Sequence, residues 1–276
     1  MDKRRVTQII SAVAANAGLK NFFEGTIYKG PLKNFCTPGL NCYSCPGALG
    51  SCPIGAFQSV LGSVKYNFSF YIAGFMLLYG GLFGRFICGW LCPFGLIQDL
   101  LHKMPFKKIG ISSKVNDKLK YLKYLILVLF VLILPIFLTN EFGISPPYFC
   151  EFICPAGTLG GGIPLVLTNE SLRSALGALF AWKMFLLILT IAAAIIIFRP
   201  FCRYICPLGA FYSLFNKISF YKYEVDKDKC TNCSACTQVC KINIEPHKNP
   251  NSTECIRCGE CKTICPANAI KSSFKL

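Results

Sequence analysis

Two runs of cysteine near the carboxyl end of the chain have a spacing that could hold metal. The first run is Cys230-x2-Cys233-x2-Cys236-x3-Cys240, and the second is Cys255-x2-Cys258-x2-Cys261-x3-Cys265-Pro266. In C-x2-C-x2-C-x3-C-P runs, three cysteines bind one [4Fe–4S] cluster and the fourth binds the cluster of the other run. The spacing therefore predicts two clusters, one on Cys230, Cys233, Cys236 and Cys265, and the other on Cys255, Cys258, Cys261 and Cys240.

Lys241 departs from this pattern, because it follows the first run where proline is usual. The change weakens the local turn but leaves the number of thiolate ligands unchanged. A zinc ribbon is the alternative for paired cysteine motifs, and two four-member runs of identical spacing favour the clusters. Disulfides throughout would suit a small secreted scaffold rather than a chain of 276 residues with 18 cysteines.

A second cysteine pattern recurs four times in the preceding part of the chain. The repeated unit is Cys-Pro-x-Gly, and its four copies begin at Cys52, Cys92, Cys154 and Cys206. Three copies have another cysteine four positions earlier, at Cys88, Cys150 and Cys202. Proline suits the first turn of a helix, glycine lets the backbone approach a bulky group, and helix amides favour an anionic cluster. Because a Cys-x3-Cys pair supplies only two thiolates, two such loops must meet to complete a cluster site.

These loops follow apolar segments that are long enough to cross a bilayer, which takes about 20 residues per helix. Three segments qualify, namely Tyr66–Phe86, Tyr121–Thr139 and Leu179–Phe198. A fourth, Val6–Phe23, is weaker, and an interfacial helix or a cleavable signal peptide is the alternative there. With 53% hydrophobic and 15% charged residues, the composition excludes a disordered chain and argues against a purely soluble one.

The distribution of basic residues predicts how these segments are oriented. Lysine and arginine concentrate before the first segment, in the 93–118 loop and after the fourth segment. By contrast, residues 140–177 contain a single basic residue, Arg173. The positive-inside rule then puts both termini and the 93–118 loop in the cytoplasm, and residues 24–65 and 140–177 outside. The net charge of +16 is thus a topology signal, and no nucleic-acid recognition motif accompanies it.

This topology predicts which cysteine loops pair. At the cytoplasmic face, one inner cluster is expected on Cys88, Cys92, Cys202 and Cys206. Arg85 and Arg199 each stand three residues before the first cysteine of their loop, either to offset cluster charge or as ordinary membrane-end anchors.

The outer face offers six cysteines for four places. The expected ligands of an outer cluster are Cys45, Cys52, Cys150 and Cys154. Ala48 occupies the position where the repeat would put a cysteine, so Cys45 is the nearest replacement. Cys36 and Cys42 are further candidates, as a disulfide or as part of a different centre, and a fully disulfide-bonded outer face is the alternative.

The expected fold therefore has two parts. Residues 1–221 form an all-α membrane domain of four transmembrane helices, built as an internal repeat with Cys-Pro-x-Gly loops. Residues 222–276 form a small, cytoplasmic α+β ferredoxin domain that binds two [4Fe–4S] clusters.

The two inner motifs and the carboxyl-terminal runs together resemble the polytopic ferredoxin-type membrane proteins of the NapH/NosR/CcoG group. The inner motifs are Cys88-Gly-Trp-Leu-Cys-Pro-Phe-Gly95 and Cys202-Arg-Tyr-Ile-Cys-Pro-Leu-Gly209, and the resemblance covers about residues 66–276. It implies that electrons pass across or into the membrane, from quinols or cytoplasmic donors towards periplasmic reductases, maturation systems or flavin-bearing subunits.

The expected function is that of a membrane-integral electron-transfer subunit in a larger hetero-oligomeric oxidoreductase complex, rather than a stand-alone enzyme. Electrons would pass through a chain of [4Fe–4S] clusters between a cytoplasmic donor and an outer acceptor, with ferredoxin, flavin and haem subunits as candidate protein partners. One alternative is a quinol-oxidising subunit, with quinone as a further partner and with Asp99 and His102 as the nearby groups that could accept protons. The other is a redox maturation or sensing factor.

Overall fold

The structure is a computed structural model that describes residues 3–63, 69–110, 113–141 and 144–274. All the cysteines lie within these ranges. The α-helices are α1 (Lys3–Ala15), α2 (Lys20–Glu24), α3 (Pro53–Leu61), α4 (Phe70–Phe83), α5 (Phe86–Trp90), α6 (Pro93–Leu101), α7 (Ser113–Leu119), α8 (Leu122–Ile126), α9 (Leu134–Phe137), α10 (Tyr148–Phe152), α11 (Pro155–Gly157), α12 (Ile163–Thr168), α13 (Glu170–Ser174), α14 (Ala178–Ile196), α15 (Pro200–Tyr204), α16 (Pro207–Phe215), α17 (Ala235–Gln238) and α18 (Glu260–Ile264). A 3-10 turn covers Pro31–Asn34, π-helical turns cover Leu127–Ile133 and Thr158–Gly162, and the strands are β1 (Tyr221–Val225) and β2 (Ile270–Phe274).

Two helices in the described part of the chain are long and apolar enough to cross a membrane. They are Val115–Phe137, which runs through α7, α8 and α9, and Ala178–Ile196, which is α14. Only 11% of the most apolar stretch of α14 is buried inside the protein, and Phe185, Ile188 and Leu189 are among its exposed side chains. An apolar helix without a protein cover is what a lipid-facing helix requires.

The prediction of four transmembrane helices differs from this structure. The segment Val6–Phe23 is not one helix, because α1 ends at Ala15 and the chain turns before α2 begins. Gly18 lies against the backbone of Gly47 at this break, and a methyl group there would be 3.0 Å from the Gly47 carbonyl oxygen.

The helix that leads to the first inner motif is also shorter than predicted. Helix α4 has 14 residues and ends before Gly84, whose φ of 51° and ψ of −136° suit glycine alone. Tyr66, at the start of the predicted segment, lies outside the described residues.

The Cys-Pro-x-Gly repeat has the same backbone form in all four copies. Each copy opens a helix with proline at its first position, and the preceding cysteine is the extended N-cap residue. Proline loses no hydrogen bond at that position, which explains why the motif starts a helix in each case. The four cysteines at these helix starts are Cys52, Cys92, Cys154 and Cys206.

The carboxyl-terminal segment contains the sheet and packs against the helices. Strands β1 and β2 are antiparallel, with Tyr221 opposite Phe274 and Val225 opposite Ile270. Ile256 is buried in the same apolar core as the helical residues Ile87 and Phe201. This shared core holds the carboxyl-terminal cysteines against the loops of the inner motifs.

Candidate iron–sulfur centres

The eight carboxyl-terminal cysteines line two separate cavities. The first cavity is lined by Cys230, Cys233, Cys236 and Cys265, and the second by Cys240, Cys255, Cys258 and Cys261. Each cavity thus combines three cysteines of one run with the fourth cysteine of the other. This exchange between the runs is the arrangement that their spacing predicts.

The loops around these cavities turn backbone N–H groups towards sulfur. Asn232, Ser234 and Arg257 have φ values of 52°, 58° and 53°, in the left-handed region that coils a short loop tightly. The N–H of Arg257 hydrogen-bonds Cys255, and the N–H of Glu260 hydrogen-bonds Cys258. Such donors favour thiolate over thiol, which is the form that binds iron.

The inner motifs bring four buried cysteines together, although they are far apart in the chain. Cys88, Cys92, Cys202 and Cys206 are each between 4% and 6% exposed. Burial and the neighbouring thiols of Cys202 and Cys88 raise the pKa of Cys92 to about 12. The Cys92 thiol therefore stays protonated on its own, and a cationic metal centre at this point would deprotonate it.

Both a side chain and a helix start donate hydrogen bonds to sulfur atoms of the inner site. The side-chain Nε2 of Gln98 donates to Cys202 Sγ at 2.9 Å, and the backbone N–H of Gly209 donates to Cys206 Sγ at 3.4 Å. The second bond comes from the helix start that the Cys-Pro-x-Gly motif creates. The cysteine spacing alone does not predict the first bond.

The side chains of Arg85 and Arg199 each extend from their own inner loop to the other one. Arg199 Nη1 donates to the Cys88 carbonyl oxygen at 2.6 Å, and Arg85 Nη2 donates to the Cys202 carbonyl oxygen at 3.0 Å. Both arginines are 2% exposed, so they are not anchors at the membrane surface. Each guanidinium instead fixes the loop that carries the other pair of cysteines.

Each of these arginines is neutralised by a buried carboxylate. Arg199 makes two hydrogen bonds to Asp99, both 2.6 Å long, and Arg85 binds Glu254 at 2.8 Å. Asp99 also accepts from Arg4 at 3.0 Å, and although burial opposes ionisation, Arg199 keeps the pKa of Asp99 below its usual range. Asp99 is therefore committed to an ion pair, which argues against the predicted role of this residue as a proton acceptor.

His102, the second predicted proton acceptor, packs its ring edge-on against Phe198 with 5.4 Å between the ring centres. Burial and the positive charge of Lys108 lower its pKa below the usual value. The neutral ring packs against apolar surface, which is an ordinary structural role for histidine.

The outer cysteines surround a cavity of about 740 Å³. The cysteines that line it are Cys36, Cys42, Cys52, Cys150 and Cys154. Cys45 is not among the lining residues, and its sulfur lies 3.8 Å from Oδ1 of Asn16 and 3.7 Å from where a methyl group on Gly160 would lie. All six outer cysteines are free thiols in the structure.

The outer site repeats a side-chain contact of the inner site. Gln58 Nε2 lies 3.4 Å from Cys150 Sγ, just as Gln98 Nε2 approaches Cys202 Sγ. Each glutamine follows the cysteine of its Cys-Pro-x-Gly motif by six residues. The sequence signal for these residues was a longer repeat, Cys-Pro-x-Gly-x-x-Gln, in two of the four copies.

The second carboxyl-terminal cavity lies directly against the inner site. A methyl group on Gly89 would be 2.2 Å from the Ile256 carbonyl oxygen, so only glycine allows the loops to touch. The indole Nε1 of Trp90 donates to the Arg257 carbonyl oxygen at 2.9 Å, and Asn216 Nδ2 donates to that of Cys255 at 2.7 Å.

The inner and outer sites are also in contact, through residues 38–41. A methyl group on Gly39 would be 2.7 Å from Cα of Cys92. The backbone N–H of Leu40 hydrogen-bonds Cys92 of the inner site, and the next N–H, that of Asn41, hydrogen-bonds Cys52 of the outer site. Tyr212 donates from its hydroxyl to the Pro38 carbonyl oxygen at 3.0 Å and so holds this segment in place.

The donor sets fit iron–sulfur clusters. Four thiolates of a [4Fe–4S] cluster each bind a different iron atom, so their sulfurs stand farther apart than the ligands of one zinc ion. Within the described ranges of the chain, no three His, Cys, Asp or Glu side chains are close enough to hold a single metal ion.

Two family models match the chain, and both are described as 4Fe-4S binding domains. One matches residues 67–112 and 179–222, which contain the two inner motifs. The other matches residues 249–271, which contain the second cysteine run. No solved structure matches the chain.

The chain is similar to several curated proteins. It is 33% identical over 201 residues to protein MJ0750 of Methanocaldococcus jannaschii, covering 70% of this chain and 74% of that protein. It is 26% identical to the ferredoxin-type protein NapH of Haemophilus influenzae, covering 72% of this chain and 66% of NapH. The regulatory protein NosR of Stutzerimonas stutzeri is 27% identical over 70% of this chain, which corresponds to 24% of NosR.

Proposed function

Because the chain belongs to the family of ferredoxin-type 4Fe-4S proteins that includes NapH and NosR, we propose that it is a membrane-integral electron-transfer subunit. Each [4Fe–4S] cluster supplies the capacity to accept and release one electron. The protein supplies the position, the hydrogen bonds and the exclusion of water.

The proposal assigns four cluster sites to the chain. The two carboxyl-terminal sites and the inner site take the ligands given by the cysteine spacing and by the converging loops. For the outer site the proposed ligands are Cys42, Cys52, Cys150 and Cys154. Cys42 replaces the predicted Cys45 in this set because Cys42 lines the cavity and Cys45 does not.

The contacts between sites suggest the order in which electrons pass. The first carboxyl-terminal site includes Cys233, an exposed cysteine, and is the proposed entry point for a soluble protein donor. The second carboxyl-terminal site touches the inner site at Gly89, and the inner site touches the outer site at Gly39. This contact between neighbouring sites is the observation that carries the proposal. A hydrocarbon core about 30 Å thick is too thick for one efficient electron-transfer step, so redox centres are needed within it.

The proposed topology keeps both termini and residues 222–276 in the cytoplasm of a cell membrane. Helices Val115–Phe137 and Ala178–Ile196 would span the bilayer, while α1 and α4 would run alongside them between the inner and outer sites. The contacts of α1 support this direction, since Arg4 binds Asp99 near the inner loops and Asn16 contacts Cys45.

The outer site would pass electrons to a flavin or haem subunit of a larger complex or to quinone, and the direction can reverse with the potentials of the partners. A quinol-oxidising role with Asp99 as proton acceptor has less support, because that carboxylate is held by Arg199 and Arg4. A maturation or sensing factor would have the same cysteines and would differ by showing no sustained electron flow.

Proteoliposomes test this function directly. The full chain is reconstituted with its clusters, reduced ferredoxin is supplied outside, and a membrane-impermeant haem protein is trapped inside as acceptor. We expect continuous reduction of the trapped acceptor, and its loss in a Cys206→Ser variant. A single stoichiometric burst without turnover would instead support a sensor or maturation factor.

A further inference from the structure

Two buried glutamines have matching positions at the inner and outer sites. Gln98 is 1% exposed and Gln58 is fully buried, and each lies one helical turn beyond the glycine of its motif. Burying an amide is unfavourable unless its donors and acceptor are all satisfied. The partners of these two amides are therefore informative.

Every polar atom of the Gln98 amide has a partner that fixes its orientation. Its Oε1 accepts from the Phe201 backbone N–H at 3.2 Å, while Nε2 donates to the Phe94 carbonyl oxygen at 3.4 Å and to Cys202 Sγ at 2.9 Å. Rotating the amide by half a turn would set its oxygen against two acceptors and its NH2 group against a donor. The N–H group must therefore face the sulfur.

Gln58 repeats this arrangement at the outer site. Its Oε1 accepts from the Phe149 backbone N–H at 2.9 Å, and Nε2 donates to the Ile54 carbonyl oxygen at 3.2 Å and to Cys150 Sγ at 3.4 Å. In both sites the sulfur belongs to the first cysteine of the facing Cys-x3-Cys pair. The same three contacts at two unconnected positions argue for a shared task rather than incidental packing.

We propose that Gln98 and Gln58 set the reduction potentials of the inner and outer centres by donating a hydrogen bond to a ligand sulfur. This inference rests on the proposed clusters. A reduced cluster carries one more negative charge than an oxidised one, so a donor to its sulfur stabilises the reduced form more. Each amide is a positioning residue that acts on one centre, which makes the two potentials separately adjustable.

The test is a redox titration followed by EPR on the full, cluster-loaded chain. Gln98→Met keeps the length of the side chain and removes the N–H donor. At a fixed potential, we expect the ratio of reduced to oxidised inner centre to fall about tenfold, which corresponds to a shift of about 59 mV for one electron. The outer centre should keep its wild-type potential in this variant.

Gln58→Met is the matched control, and we expect it to lower the potential of the outer centre alone. Unchanged potentials in both variants, at wild-type iron content, would overturn the inference and leave the amides with a structural role. Equal shifts of both centres in either variant would also contradict it, because a general loosening of the protein would then be the cause.

A second measurement needs no variant. In wild-type protein labelled with nitrogen-15 in the glutamine side chains, pulsed EPR of the reduced centres should detect the amide nitrogen through its hydrogen bond to sulfur. Absence of that coupling in both centres would overturn the inference. A protein with no cluster signal from either centre would overturn the proposed clusters themselves, and a low iron content would identify that case.

Discussion

At the scale of single residues, buried ion pairs fix the positions of the two inner cysteine loops relative to each other. Arg199 and Asp99 are both at least 96% buried, and each finds its counter-charge in the other. A buried ion pair adds little net stability compared with apolar packing, but loss of one partner leaves a charge without compensation. Asp99 and Glu254 are therefore required for positioning, although neither is a cluster ligand.

Asp99→Asn tests this requirement. The change leaves the buried guanidinium of Arg199 without a counter-charge, and we expect the protein to lose about 3–5 kcal/mol of stability. Thermal unfolding of the detergent-solubilised protein measures the effect. Asp117→Asn is the control, because Asp117 pairs with Lys120 at the surface and its loss should change stability by less than about 1 kcal/mol.

Cysteine variants test the assignment at the outer site. Cys42→Ser should reduce the iron content from about sixteen to about twelve atoms per chain, because one [4Fe–4S] cluster loses a ligand. Cys45→Ser should leave it at about sixteen, since Cys45 is not among the residues that line the cavity. Iron and sulfide analysis under anaerobic conditions measures both, and the reverse pattern would make Cys45 the ligand.

At the scale of elements, glycine sets how closely the cysteine loops approach. Gly89→Ala would place a methyl group 2.2 Å from the Ile256 carbonyl oxygen and force the two loops apart. We expect a loss of about 1–3 kcal/mol of stability from overpacking. Rapid-freeze EPR should also show slower reduction of the inner centre by reduced ferredoxin.

Gly74→Ala is the matched control for this variant. Gly74 lies in helix α4, and an added methyl group there has no neighbour within 4 Å. Alanine is the better helix former by about 1 kcal/mol, so stability should stay equal or rise. Similar slowing in both variants would show that the contact at Gly89 does not govern electron transfer.

Part of the element structure could be predicted from the sequence, because it depends on local chemistry. Proline after cysteine starts a helix in every Cys-Pro-x-Gly copy, and the predicted segments Tyr121–Thr139 and Leu179–Phe198 correspond to the two described helices that could span a membrane. The structure differs from the other two predicted spans, Val6–Phe23 and Tyr66–Phe86, because hydropathy does not detect a break in the backbone of a helix. Gly84, with its positive φ, ends helix α4 inside an otherwise apolar segment.

Contacts between distant segments could not be predicted in the same way. Residues 38–41 were expected at the outer face, yet Gly39 and Leu40 lie against Cys92 of the inner loop. That packing depends on Tyr212, which is far away in the chain and binds Pro38. The cysteine spacing does not predict the paired glutamines for a related reason, since the amide contact forms only when the two halves of a site meet.

At the scale of the whole molecule, the chain arranges its cysteines as a continuous series. The carboxyl-terminal segment touches the inner site, and the inner site touches the outer site. Neighbouring cysteine sites are therefore in direct contact through their loops. In the proposed topology, the cysteine loops reach inward from both faces of the membrane, and Val115–Phe137 and Ala178–Ile196 supply the frame.

Whole-chain iron analysis combined with EPR spin counting tests this arrangement most directly. The protein is purified anaerobically, reduced fully, and analysed for iron, sulfide and paramagnetic centres. We expect about sixteen iron atoms per chain and reduced centres whose EPR signals are broadened by magnetic coupling to their neighbours. About eight iron atoms, with the signals of an isolated pair of carboxyl-terminal clusters, would contradict the existence of the inner and outer clusters.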